Sequence, residues 1–164
     1  MPMSDTIISV ELSHVALPLR MPISDAKVLT GRQKPLTQVA FLFAELRTEA
    51  GPTGLGFSYS KRAGGPALYA HAREIASNLV GEDPSDIGRL WTKLVWAGAS
   101  VGRCGVATQA IAAVDVGLWG LKANPAALPP SLANRAAGAP AHAAAATRDD
   151  HGLASKFRHG VSLS

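Results

Sequence analysis

The sequence has a single cysteine, Cys104, among its 164 residues. One thiol cannot form a disulfide framework or a thiolate metal site, so both are excluded. No apolar run approaches the roughly 20 residues that a helix needs to cross a bilayer. The first residues, Met-Pro-Met-Ser-Asp, lack the charged start and apolar segment of a signal peptide. These absences predict a cytoplasmic protein with no membrane partner.

Aromatic residues are also scarce at 5%, although hydrophobic residues make up 47% of the chain. That content and the length predict one domain with a real core. Lysine and arginine outnumber the acidic residues by only enough to give a net charge of +4. Because the basic residues are scattered, this excess does not by itself indicate a nucleic-acid partner. His14 and His71 are isolated, and core or surface placement is favoured over metal ligation.

Alternating and continuous apolar patterns predict three strands in antiparallel succession, over Ile7–Leu19, Thr37–Thr48 and Leu55–Tyr59. We expect Pro18 to end the first of them. The segment 21–35 between the first two strands shows no period, and long loops of that kind are usually lids or disordered.

Three helices are predicted after the strands. The first spans Pro66–Val80, and the second begins with Asp83 as its N-cap and Pro84 as its first residue. Gly98 ends the second helix, and the third spans Val106–Ala123. The third is apolar almost all round, so we expect exposed surplus surface and self-association through it. Its large apolar residues include Ile111, Val114, Leu118, Trp119 and Leu121.

The predicted fold class is therefore α+β, a three-stranded antiparallel meander followed by a three-helix bundle, over residues 1–123. Residues 124–164 are rich in alanine and proline and show neither helical nor strand periodicity. We expect this segment to be an irregular tail that is disordered or translated out of frame.

A basic loop follows the third strand, where Lys61 and Arg62 precede Gly64 and Gly65 and Pro66 opens a helix. Two cations beside a helix N-terminus suit the capture of an anion. The alternative, a solvated basic turn, is favoured by the sequence pattern alone.

The order of elements and several motifs resemble the N-terminal capping domain of the enolase superfamily. The motifs are Gly54-Leu-Gly-Phe-Ser58, Gly81-Glu-Asp-Pro84 followed by Leu90-Trp91, and Ala112-Ala-Val-Asp-Val-Gly-Leu-Trp-Gly-Leu-Lys122. Within the mandelate racemase/muconate lactonizing enzyme branch, residues 24–31, 57–65 and 96–100 look like those of the galactarate/talarate dehydratases. Gly117 and Gly120 depart from the family pattern, and glycine inside a helix costs about 1 kcal/mol.

The resemblance implies a magnesium-dependent hydro-lyase, a carbon–oxygen lyase that removes the proton alpha to a carboxylate and then loses water. In that family a following (β/α) barrel supplies the magnesium ligands and the bases. Fewer residues follow Ala123 than the roughly 200 that a barrel needs. We therefore expect a truncated chain that holds no catalytic residue and binds no metal cofactor of its own. Its expected role is the substrate-specificity cap of an acid-sugar dehydratase or racemase.

The resemblance also implies substrate-binding residues for an acid-sugar diacid. Asp25, Ala26 and Lys27 would close over the sugar hydroxyls, and Lys61 and Arg62 would hold the far carboxylate. The competing interpretation of Asp25 and Lys27 is a local surface ion pair.

Two other functions stay open. One is a small basic module that binds an anion or nucleic acid through Lys27, Arg32, Lys34, Lys61 and Arg62. The other is an interaction protein whose third helix docks a separately encoded barrel. Asp115, inside the third helix, is expected to pair with an arginine such as Arg103.

Overall fold

The computed structural model describes residues 5–123 and the backbone of a strand at 156–162. Within these ranges, four strands form one antiparallel sheet in the order β3-β2-β1-β4. Their bounds are Ile7–Ile23 for β1, Leu36–Thr48 for β2, Thr53–Ser60 for β3 and Lys156–Ser162 for β4. The predicted meander of β1, β2 and β3 is confirmed.

The strand β1 is longer than predicted. Its regular pairing with β2 does end at Pro18, opposite Gln38, but the strand resumes its ladder at Ile23 opposite Leu36. Proline removes one ladder donor, and here it leads into an irregularity rather than ending the strand.

The strand β4 falls where the sequence predicted no regular element. Its backbone pairs with β1 from Ser9 opposite Ser162 to Val15 opposite Lys156. The prediction of an irregular tail is therefore wrong for this stretch, because an open edge of β1 can pair with any extended backbone. The rest of the predicted tail lies outside the described residues.

The bounds of the helices are Ala26–Leu29 for α1, Gly65–Ala76 for α2, Ile87–Ala97 for α3 and Val106–Lys122 for α4. The helices α2 and α4 pack against the sheet, and α3 packs on these two helices. Short 3-10 turns follow α2 and α3 at Ser77–Leu79 and Ala99–Val101. No helix within the described part of the chain is long and apolar enough to cross a membrane.

The sequence predicted Asp83 as the N-cap of α3, but the N-cap is Asp86. The Asp86 carboxylate accepts a hydrogen bond from the Arg89 backbone N–H at 3.1 Å. The Asp83 carboxylate accepts from the Ser85 N–H at 2.8 Å instead, so it stabilises the turn that precedes the helix.

The helix α4 is better covered than its composition predicted. Ile111, Val114, Leu118 and Leu121 are all buried, because α4 contacts the sheet as well as α2 and α3. The only large apolar residues of α4 that stay exposed are Val116 and Trp119. Most of the expected surplus surface is therefore absent, and self-association through this helix stays a prediction.

Four glycines let α4 approach β3 with backbone against backbone. A Cβ added at Gly56 would lie 1.9 Å from the Ala113 carbonyl oxygen, and one at Gly54 would lie 2.1 Å from that of Gly117. On the helix side, a Cβ at Gly117 would lie 2.3 Å from Leu46, and one at Gly120 would lie 3.3 Å from the Leu55 nitrogen. The helix-interior glycines therefore provide close packing that offsets their low helix propensity.

Replacement of Gly56 by alanine should destabilise the protein by about 1–3 kcal/mol, because its methyl group would overlap the backbone of α4. The matched control is Gly88→Ala, where the nearest atom to an added Cβ is 3.9 Å away. Since Gly88 lies within α3, the control should stabilise the protein by about 0.5–1 kcal/mol. Urea unfolding measures both changes, and equal effects would contradict the packing argument.

Candidate functional site

One arginine connects the two loops that the sequence singled out. Arg62, just after β3, places its Nη2 atom 2.8 Å from Oδ2 of Asp25. Its Nη1 atom donates to the Lys34 carbonyl oxygen at 2.7 Å. The segment between β1 and β2 is thus held at both of its ends by a single guanidinium, whose planar fork suits two directed acceptors.

The carboxylate of Asp25 is also the N-cap of α1. Its Oδ1 atom accepts from the backbone N–H groups of Lys27 at 3.0 Å and Val28 at 3.2 Å. The Arg62 hydrogen bond is the main cause that holds the pKa of Asp25 below its ordinary value, and the two N–H groups act in the same direction. We refer to Arg62 and Asp25 together as the loop clamp.

The structure brings Asp25 and Arg62 together and leaves the two neighbouring lysines outside the clamp. The local ion pair between Asp25 and Lys27, which was the alternative interpretation, does not form in the described structure. Ala26 and Lys27 lie in the first turn of α1. The proposed roles of these residues in substrate binding stay predictions.

Lys61 and Arg62 line two adjoining cavities. One, of about 160 Å³, lies between β1, the end of β3 and the start of α2, and reaches His14, Ser60 and Gly65. The other, of about 270 Å³, is lined by these two cations and by residues 33–38. The first turn of α2 has no side-chain cap, because Gly64 stands at its N-cap with φ of 90°. Uncapped N–H groups beside two cations favour an anion.

The sequence analysis gave His14 no role in a site, yet it lines the smaller cavity. Its Nε2 atom is buried and has no hydrogen-bond partner in the described part of the chain. The alternation of β1 could have placed His14 on the same face as Leu12, towards the core. Its position beside the basic loop could not be read from that pattern.

The sequence predicted that Asp115 pairs with Arg103, but this pair does not form in the described structure. Burial is the main cause that raises the pKa of Asp115, and a hydrogen bond with Trp119 opposes it. The Arg103 guanidinium lies instead over the Trp96 ring, with 4.6 Å between the guanidinium carbon and the ring centre.

Residues 5–123 contain no group of three histidine, cysteine, aspartate or glutamate side chains that could hold a metal ion. Magnesium prefers several oxygen ligands in near-octahedral geometry. The described residues therefore do not fit the metal that the resemblance implies.

The comparisons with known proteins agree with this arrangement of elements. The family model for the mandelate racemase / muconate lactonizing enzyme N-terminal domain matches residues 7–132. The chain belongs to this family. The match runs past Ala123, where the sequence analysis placed the domain boundary.

Curated and solved relatives lie in the same family. The L-talarate/galactarate dehydratase of Salmonella typhimurium is 63% identical over 125 residues, which cover 76% of this chain and 31% of that protein. L-talarate dehydratase from Polaromonas sp. JS666, solved with Mg and L-glucarate, has a TM-score of 0.72 and 67% identity, over 75% of this chain and 33% of that one. The Salmonella enzyme solved with Mg and L-lyxarohydroxamate has a TM-score of 0.74 and 59% identity, over 83% of this chain and 34% of that one.

This member of the mandelate racemase family spans about a third of the length of these relatives. The structural likeness to them covers the N-terminal domain and confirms the family and the fold class that the motifs predicted.

Replacement of Arg62 by glutamine should raise the pKa of Asp25 towards the ordinary range, because it removes the largest cause of the lowering. The clamp contributes stability above the unfolded aspartate pKa, about 3.9, and loses it as the pH falls through the lower folded pKa. The variant should therefore lose stability less steeply below about pH 4. NMR titration of the Asp25 carboxyl carbon measures the shift.

A second arginine, Arg89, provides the control for this experiment. Its guanidinium lies 2.7 Å from Glu82, whose pKa is lowered first by Lys93 and then by Arg89. Arg89→Gln should raise the pKa of Glu82 and leave that of Asp25 unchanged. An Asp25 pKa that is the same in Arg62→Gln as in the unmodified protein would contradict the clamp.

Proposed function

We propose that this chain is the substrate-specificity cap of an acid-sugar dehydratase and that its basic loop contacts the far carboxylate of a hexarate diacid. The observation that carries the proposal is the loop clamp, which fixes both candidate loops beside cavities that Lys61 lines. The similarity to dehydratases solved with L-glucarate and L-lyxarohydroxamate supports the choice of ligand class.

Arg62 and Lys61 have different contacts, and we assign them different roles. Arg62 has both of its terminal nitrogens engaged by Asp25 and Lys34, so it positions the loops. Lys61 forms no ion pair with any described residue, and its ammonium lies 6.0 Å from the Tyr59 ring centre. We therefore assign the substrate carboxylate to Lys61 and treat Arg62 as a positioning residue.

A lysine suits this role for a chemical reason. Its ammonium is a point charge with three rotatable donors, whereas a guanidinium fork requires one orientation of the carboxylate. The curated relative is named for two epimeric diacids, talarate and galactarate. A point charge at the far end of the substrate accommodates both epimers.

The α1 loop has a different part in this proposal. The Asp25 carboxylate already accepts three hydrogen bonds from the protein, which leaves it little capacity to accept from sugar hydroxyls. Lys27 lies in the adjoining first turn and forms no ion pair among the described residues. In our proposal Lys27 and the backbone at Ala26 face the sugar while Asp25 holds the turn in place.

The purified 164-residue chain should not dehydrate galactarate or talarate, with or without magnesium. The described residues hold no cluster of metal ligands, and the proposal assigns none of them to proton removal. A coupled assay for the keto acid product measures turnover. Turnover above background that EDTA abolishes would contradict the proposal.

The role of Lys61 is testable in a chimera in which residues 7–123 replace the corresponding segment of the Salmonella relative. Lys61→Ala should lower kcat/KM for galactarate by about 10- to 100-fold, since a hydrogen bond to a charged group contributes about 1.5–3 kcal/mol. Monoacid sugars should lose much less, because they have no far carboxylate.

Lys122→Ala is the matched control, since the Lys122 ammonium lies over the Trp119 ring, 5.2 Å from its centre, and lines neither cavity. The kinetic constants of the Lys122→Ala chimera should match those of the unmodified chimera. Equal losses on diacids and monoacids would show that Lys61 supports the fold only. Salt-dependent binding of the isolated chain to DNA, without binding of hexarates, would favour the basic binding module instead.

A further inference from the structure

A third cavity, of about 320 Å³, lies between α2, α3 and the start of α4. It shares no lining residue with the cavities at Lys61 and Arg62. Its walls include the apolar side chains of Val95, Ala107 and Ile111. Nothing in the proposed function uses this space.

One buried polar atom in the wall of this cavity has no partner. His71 is 7% exposed, and its Nε2 atom has no hydrogen-bond partner within the described structure. Its Nδ1 atom is 3.9 Å from the nearest Glu74 oxygen, too far for a hydrogen bond. Buried polar side-chain atoms are bonded in the large majority of cases, so an unpaired one indicates a missing partner.

The imidazole of His71 lies against Gly98. A Cβ added at Gly98 would lie 2.7 Å from Nε2 of His71. The glycine is one of the residues that line the cavity. Because His71 and Gly98 both line the cavity, the unpaired nitrogen lies beside a residue of the cavity wall.

The opening of the cavity carries aromatic surface and a cation. Trp91 is 47% exposed and Trp96 is 64% exposed, although large aromatic side chains are usually more buried. The Arg103 guanidinium lies over the Trp96 ring and forms no ion pair with a described residue. Indole faces bind flat rings, and a guanidinium binds carboxylates.

We propose that this cavity binds a small planar aromatic carboxylate that carries a hydroxyl group on its inner end. The hydroxyl would hydrogen-bond Nε2 of His71, the ring would lie against the two indoles, and the carboxylate would reach Arg103. The apolar walls favour the ring over a sugar acid, which has no apolar face of that size. This site is separate from the Lys61 cavities and does not depend on the proposed function.

The test uses the intact chain and the probe 6-hydroxy-2-naphthoate. The indole N–H signals of the three tryptophans are followed by ¹⁵N NMR during a titration. The signals of Trp91 and Trp96 should shift in a saturable way, while that of Trp119, which does not line the cavity, stays in place. Signals that do not move up to millimolar probe, or that all move together, would overturn the proposal.

Paired ligands test each contact without any change to the protein. Removal of the hydroxyl, in 2-naphthoate, should weaken binding by about tenfold, as expected for a site that loses one hydrogen bond to a buried group. Removal of the carboxylate, in 2-naphthol, should weaken it by at least as much. Equal affinities for all three compounds would overturn the assigned contacts.

Variants then locate each preference. His71→Phe should abolish the preference for the hydroxylated ligand, and Arg103→Met should abolish the preference for the carboxylate. Lys122→Met is the control, because it removes a cation that lies over Trp119 and does not affect the one over Trp96. This variant should leave both preferences intact. Retention of the hydroxyl preference in His71→Phe would overturn the role of His71, and if that variant does not fold, the paired-ligand comparison decides.

Discussion

The backbone contact between α4 and β3 is the constraint on which the rest of the domain depends. Gly54 and Gly56 on the strand face Gly117 and Gly120 on the helix, and no Cβ fits at the first three positions without a shift. Such closeness fixes both the distance and the rotation of the helix against the sheet. The four glycines therefore specify one packing arrangement, which larger apolar side chains would not allow.

That contact also positions the candidate site. The strand β3 leads directly into the basic loop, and a Cβ added at Gly64 would lie 3.5 Å from Val106 at the start of α4. The loop is thus held between a fixed strand and a fixed helix. Arg62 also fixes the segment that contains α1, because it binds Asp25, a residue 37 positions earlier in the chain.

The periodic parts of the sequence predicted the fold well, because their patterns report burial directly. The apolar run at 39–44 predicted β2, and the start and end signals at Pro84 and Gly98 predicted α3, each within a few residues of the observed bounds. The cap of α3 was misplaced because Asp83 and Asp86 both precede the helix, and only the backbone geometry selects the second. By helix propensity alone, Gly117 and Gly120 are unfavourable. Their packing role depends on the facing glycines of β3, which the sequence of the helix does not reveal.

The candidate site was only partly predictable for a related reason. The motifs singled out both loops, but the pairing of Asp25 with Arg62 joins residues that share no periodic element. Alternation in β1 could place His14 on the core face but could not place it beside the basic loop. Long-range contacts of this kind follow from the packing of whole elements and not from local patterns.

At the two loops of the candidate site, the different roles of Arg62 and the lysines follow from their chemistry. Arg62 and Arg89 each bind a carboxylate within hydrogen-bond distance. Arg62 joins two loops that are far apart in the sequence, and Arg89 joins α3 to the segment that precedes it. Lys27, Lys34 and Lys61 lie on the same two loops and form no ion pairs with the residues described. A planar fork loses less conformational freedom per hydrogen bond and is suited to a fixed structural contact. Flexible ammonium groups that form no ion pair are instead available to an anion from outside the protein.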